Sequence, residues 1–571
     1  MGRCRLGQVN VIYDLERTAT GAGVGWFTCV PIDEWDLDRA INYLEDHPYD
    51  VFMHKYVLER LGNLEPEEFG RFVKDNKNSK PFLEALIHEA WSRNWKFEAA
   101  GIKLEEMNLK RLVRYTPLID IRWGIRGHGR DNLYWLKCFA SNYYRHTDLP
   151  KPNEAEAPLP FDRKQLSGLL ERAVHIKEIA PGVRKHEHLY RETSPKSFIK
   201  SLLKKLEQHS ILTGWETRTE ATLSPFAVER PWLLDIEIRE GRNCYGLKGT
   251  QISYGRGLNI HQARISCLME VVERYCAFTS IREGKPQGYV NTGSLIKSTY
   301  QEISDMGVNV VDPNDMCLEV PYDGFPLCWI RGEEIGPDGR KEIYVPAQLV
   351  FLFANFDEMS LTSGVSSTGL GAGTTQNEAR LTALLEVIER DAEKVVPFFR
   401  DRCFRLEADD VKVSEMLRFL ESKGIHIQFL DLTSEFGIPC YKAFICGPGG
   451  VVLKGTGAGL DGRRAVLSAM TEVPYPYPYW FGSMEPMDEG PTVFYEDLPD
   501  YSTGEIEKDL ELLHTVLLSS GYKVIYVDLT KEELGVPVAR AMVPGLEFMT
   551  FFDRHTPLSP RQFAHYLQHV N

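Results

Sequence analysis

Two segments of the chain carry acids and bases at spacings that could hold a metal ion and a phosphate. In HQARISCLMEVVERYCAF, residues 261–278, Ser266, Glu270, Glu273 and Arg274 fall at i, i+4, i+7 and i+8, one stripe of a helix. In NEARLTALLEVIERDAEKV, residues 377–395, Glu378, Glu386 and Glu389 share one side of a helix, with Arg390 beside them. The remaining positions are apolar: Ile265, Leu268, Met269 and Val272 on the first, Leu384, Val387 and Ile388 on the second. So apolar a second helix must be largely buried, and buried carboxylates need counter-charges. Mg²⁺ supplies them, because it takes oxygen ligands and is shared between one or two carboxylates and substrate phosphates. Arg274 and Arg390 suit phosphate oxygens. On one helix, a solvated Glu–Arg ladder at ~0.2–0.5 kcal/mol per pair would explain the pattern as well. The recurrence of ExxER on a second helix decides for a site.

Each helix is approached through glycines, SYGRGLN at 253–259 and SSTGLGAGTT at 366–375. Glycine there allows backbone N–H groups to approach an anion at a helix start. No GxxxxGK[ST] occurs, which excludes an ordinary P-loop.

The elements that position these groups are themselves repeated. LDLTSEFGIPCYKAFI at 430–445 echoes VDLTKEELGVPVARAMV at 527–543, strand, turn and strand used twice. With the two related helices, this predicts an α+β or α/β fold of sheet-and-helix units with a mixed or antiparallel sheet. Residues 1–147 read as a mainly helical N-terminal domain, for docking or dimerisation. Residues 148–165, centred on DLPKPNEAEAPLP, read as a linker, and 166–571 as the domain that carries the two helices.

The series GRG…SCLMEVVERY, SSTGLGAGTTQNEARLTALLEVIERDA, GAGLDGRRAVLSAMTE and VPVARAMVPGLE resembles the YcaO family over roughly 180–550. The resemblance implies a YcaO-type fold and the cofactors ATP and Mg²⁺. It also implies phosphorylation of a backbone amide oxygen while a nucleophile attacks the carbonyl, giving azolines, thioamides or amidines. By the same resemblance Ser266, Glu270, Glu273 and Arg274 match the first nucleotide helix and Glu378, Glu386, Glu389 and Arg390 the second. The five glutamates Glu270, Glu273, Glu378, Glu386 and Glu389 become the metal ligands, and Arg191 and Ser197 a further nucleotide contact. Three positions depart from the family pattern: Arg256 stands in its GKG, Thr368 replaces an Asn, and Ser468 replaces an Arg. The prolines after Val473 should end the third helix there, and Arg464, one turn before Ser468, is the nearest substitute for the missing Arg. The internal PYPYP and the absence of a PxPxP tail point away from azolines and toward thioamide formation.

Composition narrows the partners. A net charge of -15, 66 basic against 81 acidic residues, argues against nucleic acid. No apolar run is long enough for a membrane span, and 11 scattered cysteines without CxxC fit a reducing, cytoplasmic setting and no zinc site. The expected partners are a peptide or protein substrate, a partner protein and a second copy in a homodimer. Cys267 and Cys276 read as packed rather than nucleophilic, and Tyr475, Tyr477, Tyr479, Trp480 and Phe481 as a peptide wall or core. The leading expectation is an ATP-dependent enzyme that activates peptide amides for thioamide-type modification. Two alternatives stand beside it: a non-catalytic accessory, since some YcaO members assist a ribosomal-protein methylthiotransferase, and a carboxylate–amine ligase.

Overall fold

Three sheets, each crossed at close range by one helix, make the frame in this computed structural model. It describes residues 9–18, 26–76, 80–104, 107–127, 129–180, 194–219, 222–364, 366–447, 451–474 and 490–570. The mixed sheet-and-helix architecture is the one the sequence predicts.

The first sheet runs in the order Trp26–Pro31, Val11–Thr18, Asn243–Gly257, Phe226–Glu240, Ile281–Arg282, Lys285–Pro286. Its centre is a long antiparallel hairpin, paired from Phe226 with Gly257 to Glu240 with Asn243. A two-residue turn closes it, for which Gly241 adopts a φ of 58°. The second sheet orders Gly339–Pro346, Leu327–Gly336, Val524–Asp528, Val538–Met542, Leu370–Ala372. The third orders Val452–Ala458, Cys440–Cys446, Gln428–Asp431, Cys403–Glu407, Thr492–Phe494. The echoed strand–turn–strand segments lie in the third and second sheets, and they place a buried cation at the same register. Lys442 pairs with Leu430 in one, and Arg540 with Val527 in the other.

The N-terminal segment brings helices and also two strands that join the first sheet. Alternation in VIYDLERT is what sequence reading missed: Val11, Tyr13 and Leu15 are buried while the residues between them are not. Tyr13 donates to Asp50 Oδ2 at 2.8 Å, and Asp50 Oδ1 caps the helix Val51–Asn63 and accepts from Asn355 Nδ2 at 2.9 Å. The 148–165 segment, expected as a linker, is held against the core. Trp135 Nε1 donates to Pro158 O at 2.8 Å, the Tyr566 hydroxyl donates to Pro150 O, and Ala157 is buried. Trp135 and Phe139 pack edge-on against Phe563 of the helix Pro560–Val570, so the two ends of the chain share one aromatic cluster.

Candidate functional site

Glycine sets how closely each helix lies on its sheet. A Cβ on Gly255 would fall 2.1 Å from Ala263 O and 2.2 Å from Cys267 N of the first helix, Ile260–Ala277. One on Gly371 would fall 2.5 Å from Ala383 N of the second helix, Gln376–Val395. One on Gly457 would fall 2.4 Å from Ala465 O of the third, Gly462–Glu472. Small residues on the facing turns, Ala263, Ala379, Ala383, Ala465 and Ala469, complete the fit. The sequence suggested that these glycines admit an anion to the helix starts. Instead they admit the helix itself, and each start is closed by its own cap: Asn259, Thr375 and Asp461 accept from the first-turn N–H groups. The third helix ends with Val473 as its C-cap, where the proline run was expected to stop it.

Close packing of three helices on three sheets brings their polar edges together. Glu273 and Arg274 of the first helix face Glu386 and Arg390 of the second, and Glu472 at the end of the third faces Glu270 and Glu389. Glu270 Oε2 accepts from Tyr254 N at 2.7 Å. Glu389 accepts from Thr456 Oγ1 at 2.9 Å and from Ala458 N at 3.2 Å, which ties the second helix to the third sheet. Arg274 lies 3.4 Å from Glu273, and Arg390 lies 3.4 Å from Glu389.

Of the residues singled out from the sequence, Glu270, Glu273, Arg274, Glu386, Glu389 and Arg390 meet in this cleft. Glu378 does not: its carboxylate is taken by Thr374 N and Thr374 Oγ1 at the start of the second helix. Ser266 is exposed on the first helix. Ser197 is exposed at the start of the helix Pro195–Gln208, where its hydroxyl bonds Ser194. Arg191 and the aromatic cluster Tyr475, Tyr477, Tyr479, Trp480 and Phe481 lie outside the described residues. Arg464 turns outward, 60% exposed, beside Asp461. Cys267 and Cys276 are buried, as expected, and burial pushes their thiols up to about 12 and about 11.

Three further groups line the cleft: Glu472 and Arg540, which were not singled out, and Arg256, which was named only as a departure from the family pattern. Each lies in a quoted motif, yet only the tertiary fold aims it at the others. Arg256 and Arg390 supply the positive charge facing Glu472. Arg540 reaches the cleft from Val538–Met542, with one Nη donating to Ser366 O at 2.7 Å.

Charge in the cleft is unbalanced. Burial, then the Glu273 carboxylate, pushes Glu386 up to about 8, against Arg390 and Arg274. Burial, then Glu389, pushes Glu472 up to about 7. Burial also pulls Arg540 down to about 10. Meanwhile Arg256 Nε, Arg274 Nη1 and two nitrogens of Arg540 are buried donors without a hydrogen-bond partner. The cleft is nonetheless open to a ligand, since Glu270, Glu273, Arg274, Glu389 and Arg390 keep 14–31% of their side chains exposed. A divalent cation suits carboxylates that resist ionisation, and a polyphosphate suits guanidinium donors left over. Mg²⁺ with a nucleoside triphosphate fits both halves of the donor set.

A family model described as YcaO cyclodehydratase, ATP- and Mg²⁺-binding, matches residues 254–474 and 479–547. An uncharacterised protein of Methanothermobacter thermautotrophicus is 30% identical over 332 residues, 51% of this chain and 81% of its own length. One from the tfuA 3′ region of Rhizobium leguminosarum bv. trifolii is 28% identical over 236 residues, 38% of this chain and 53% of its own. Among solved structures, that of YcaO from Methanopyrus kandleri bound with AMPPCP and Mg²⁺ is 28% identical. It covers 62% of this chain and 92% of its own, with a TM-score of 0.45. A heterocyclase in complex with substrate and cofactor is 19% identical over 68% of this chain and 59% of its own, with a TM-score of 0.48.

Proposed function

The chain belongs to the YcaO family, whose cofactors are ATP and Mg²⁺, and from that premise we propose that it activates a peptide backbone amide for thioamide formation or a related modification. The observation that carries this reading is the unsatisfied chemistry of the cleft, with guanidinium donors left without partners beside carboxylates that burial keeps from ionising.

In this reading Glu270, Glu273, Glu386, Glu389 and Glu472 hold the metal ions. They come from three helices and form no tight cage, as suits Mg²⁺ sites completed by phosphate oxygens and water. Arg256 and Arg540 hold phosphate oxygens through nitrogens that make no hydrogen bond, and Arg274, with Nη1 3.4 Å from Glu273, adds its charge beside them. Bound there, Mg-ATP supplies a phosphoryl group that turns an amide oxygen into a leaving group. Thr456 and Ala458 fix the Glu389 carboxylate before any ligand arrives, so little ordering is left to binding. An apolar cavity walled by Val387, Ala541, Val543 and Leu546 opens beside Arg540, where it can take an uncharged part of a ligand. Cys267 and Cys276 do not supply the attacking group, since both are buried and burial keeps their thiols protonated. Ser468 replaces an Arg of the family pattern, but the cleft draws its positive charge from Arg256, Arg390 and Arg540 rather than from that turn.

Calorimetric titration with Mg-ATP tests the reading. We expect saturable binding by the wild-type chain and none by Glu389→Ala, with both proteins melting cooperatively. Equal binding by the variant would move the nucleotide elsewhere. A folded wild-type chain that binds nothing would sink the enzyme reading.

A further inference from the structure

Away from the cleft, Glu319, Asp553 and His555 bring one ligand atom each to within 4.8 Å of one another, the one such trio among the described residues. They come from two distant places, the loop after Cys317 and the segment beyond Gly545, and His555 also faces Asp120 of the helix Asp120–Arg126. We infer that Glu319, Asp553 and His555 bind a first-row divalent cation of the zinc type, which clasps the C-terminal segment to the loop that carries Glu319.

His555 is the second, separate observation. It is 6% exposed, and neither ring nitrogen has a hydrogen-bond partner. Nδ1 stands 3.6 Å from Asp553 Oδ2. Two donors about 2.0–2.2 Å from one tetrahedral ion stand about 3.4 Å apart, so the gap suits a shared metal better than a shared proton. Nε2 faces Asp120 Oδ1 at 3.4 Å, the carboxylate–histidine arrangement that orients a ligating imidazole. Asp120 is held in turn by Arg93 and Arg554, which neutralise it. Both Glu319 oxygens accept from Ser363, through N and Oγ, and each keeps a lone pair. Asp553 spends Oδ1 on the N–H groups of His555 and Thr556 and keeps Oδ2 toward the ring. The nearby ammonium groups are engaged by carbonyls: Lys55 by Ser363 O at 3.3 Å and Lys394 by Phe551 O at 3.0 Å. Against burial, Asp120 and Asp553 raise the His555 imidazole to about 9, so an ion binds here by displacing its proton, and the two carboxylates then offer a charge of -2. An imidazole ligand selects zinc-type metals over the Mg²⁺ expected in the all-carboxylate cleft. No cysteine takes part, so cysteine spacing, the ground for expecting no zinc site, could not reveal this one.

The test uses the full chain, stripped with chelator and given Zn²⁺ alone. We expect one equivalent retained through gel filtration, an X-ray absorption edge showing nitrogen and oxygen but no sulfur neighbours, and a raised melting temperature. Glu319→Gln and His555→Gln should each weaken retention at least about tenfold, while Glu389→Gln retains the ion. No retention by the wild-type chain overturns the site, leaving an imidazolium held between Asp120 and Asp553. Loss in Glu389→Gln alone also overturns it and puts the ion in the cleft. If the two variants fail to fold, the wild-type absorption spectrum decides, and sulfur or all-oxygen ligation refutes the assignment.

Discussion

The middle and the C-terminal end of the helix Gln376–Val395 carry charge in opposite ways. Toward its C-terminus every buried charge has a partner. Asp391 takes both Nη of Arg561 at 2.5 and 2.8 Å, Arg561 reaches Glu435, and Glu435 accepts from His565. About one and a half turns earlier Glu386 faces another carboxylate, and across the cleft Arg540 is buried with two nitrogens unpartnered. Burial alone would raise Glu393, yet Lys454, Lys442 and Arg390 hold its carboxyl far below the usual range. Glu386, on the same helix, is driven upward. Satisfied charge serves the fold, and charge left unsatisfied in an open cleft marks where a ligand completes it.

Breaking the satisfied end should cost most. Asp391→Ala strands Arg561 in the interior with Glu435 alone and should lower stability by about 3 kcal/mol, read by denaturant unfolding. Next comes a group that is buried and kept neutral. Burial, then Arg380 and Arg340, pulls the His514 imidazole down to about 4 against Glu333, with Nε2 2.8 Å from the Tyr526 hydroxyl. The unfolded chain, with its imidazole near about 6.5, takes up the proton first. Stability from this group is therefore whole above about 6.5 and falls as pH drops from there toward about 4, by on the order of 2 kcal/mol. In His514→Gln that slope should vanish; a slope unchanged in the variant would assign it to other groups. Smaller in energy but sharper for function is Arg540→Met. Removing an unsatisfied buried cation should leave stability level or slightly raised, while Mg-ATP affinity falls about tenfold. A matching loss of stability would place Arg540 with the satisfied charges. Least of all, Arg464→Ala should change stability by less than about 0.5 kcal/mol and leave nucleotide affinity alone, because its side chain points to solvent.

What the sequence made legible was local. The apolar faces of the first two helices, the ExxER stripes and the stop at Val473 follow from periodicity and proline chemistry over a few turns. What stayed hidden depends on distant segments meeting. Arg256, Glu472 and Arg540 are 216 and 68 positions apart in turn, and no spacing rule connects them. The glycines misled for a similar reason, because a Gly before a helix looks alike whether it admits an anion or the helix. The strand at 11–18 escaped because its second partner lies more than two hundred residues away, and the strand at 26–31, which pairs with it, escaped along with it.

That last pairing also sets a timetable. Val11 to Asp14 lie parallel to Tyr245 to Lys248, with no other strand between them. A ribosome adding about 5–20 residues per second takes on the order of tens of seconds to reach that partner. Until then the earliest strands present an open edge with nothing to pair, and long-range closure of this kind is slow in its own right. Newly made chains should therefore lean on a chaperone at their N-terminal end, before the first of the three helices has left the exit tunnel.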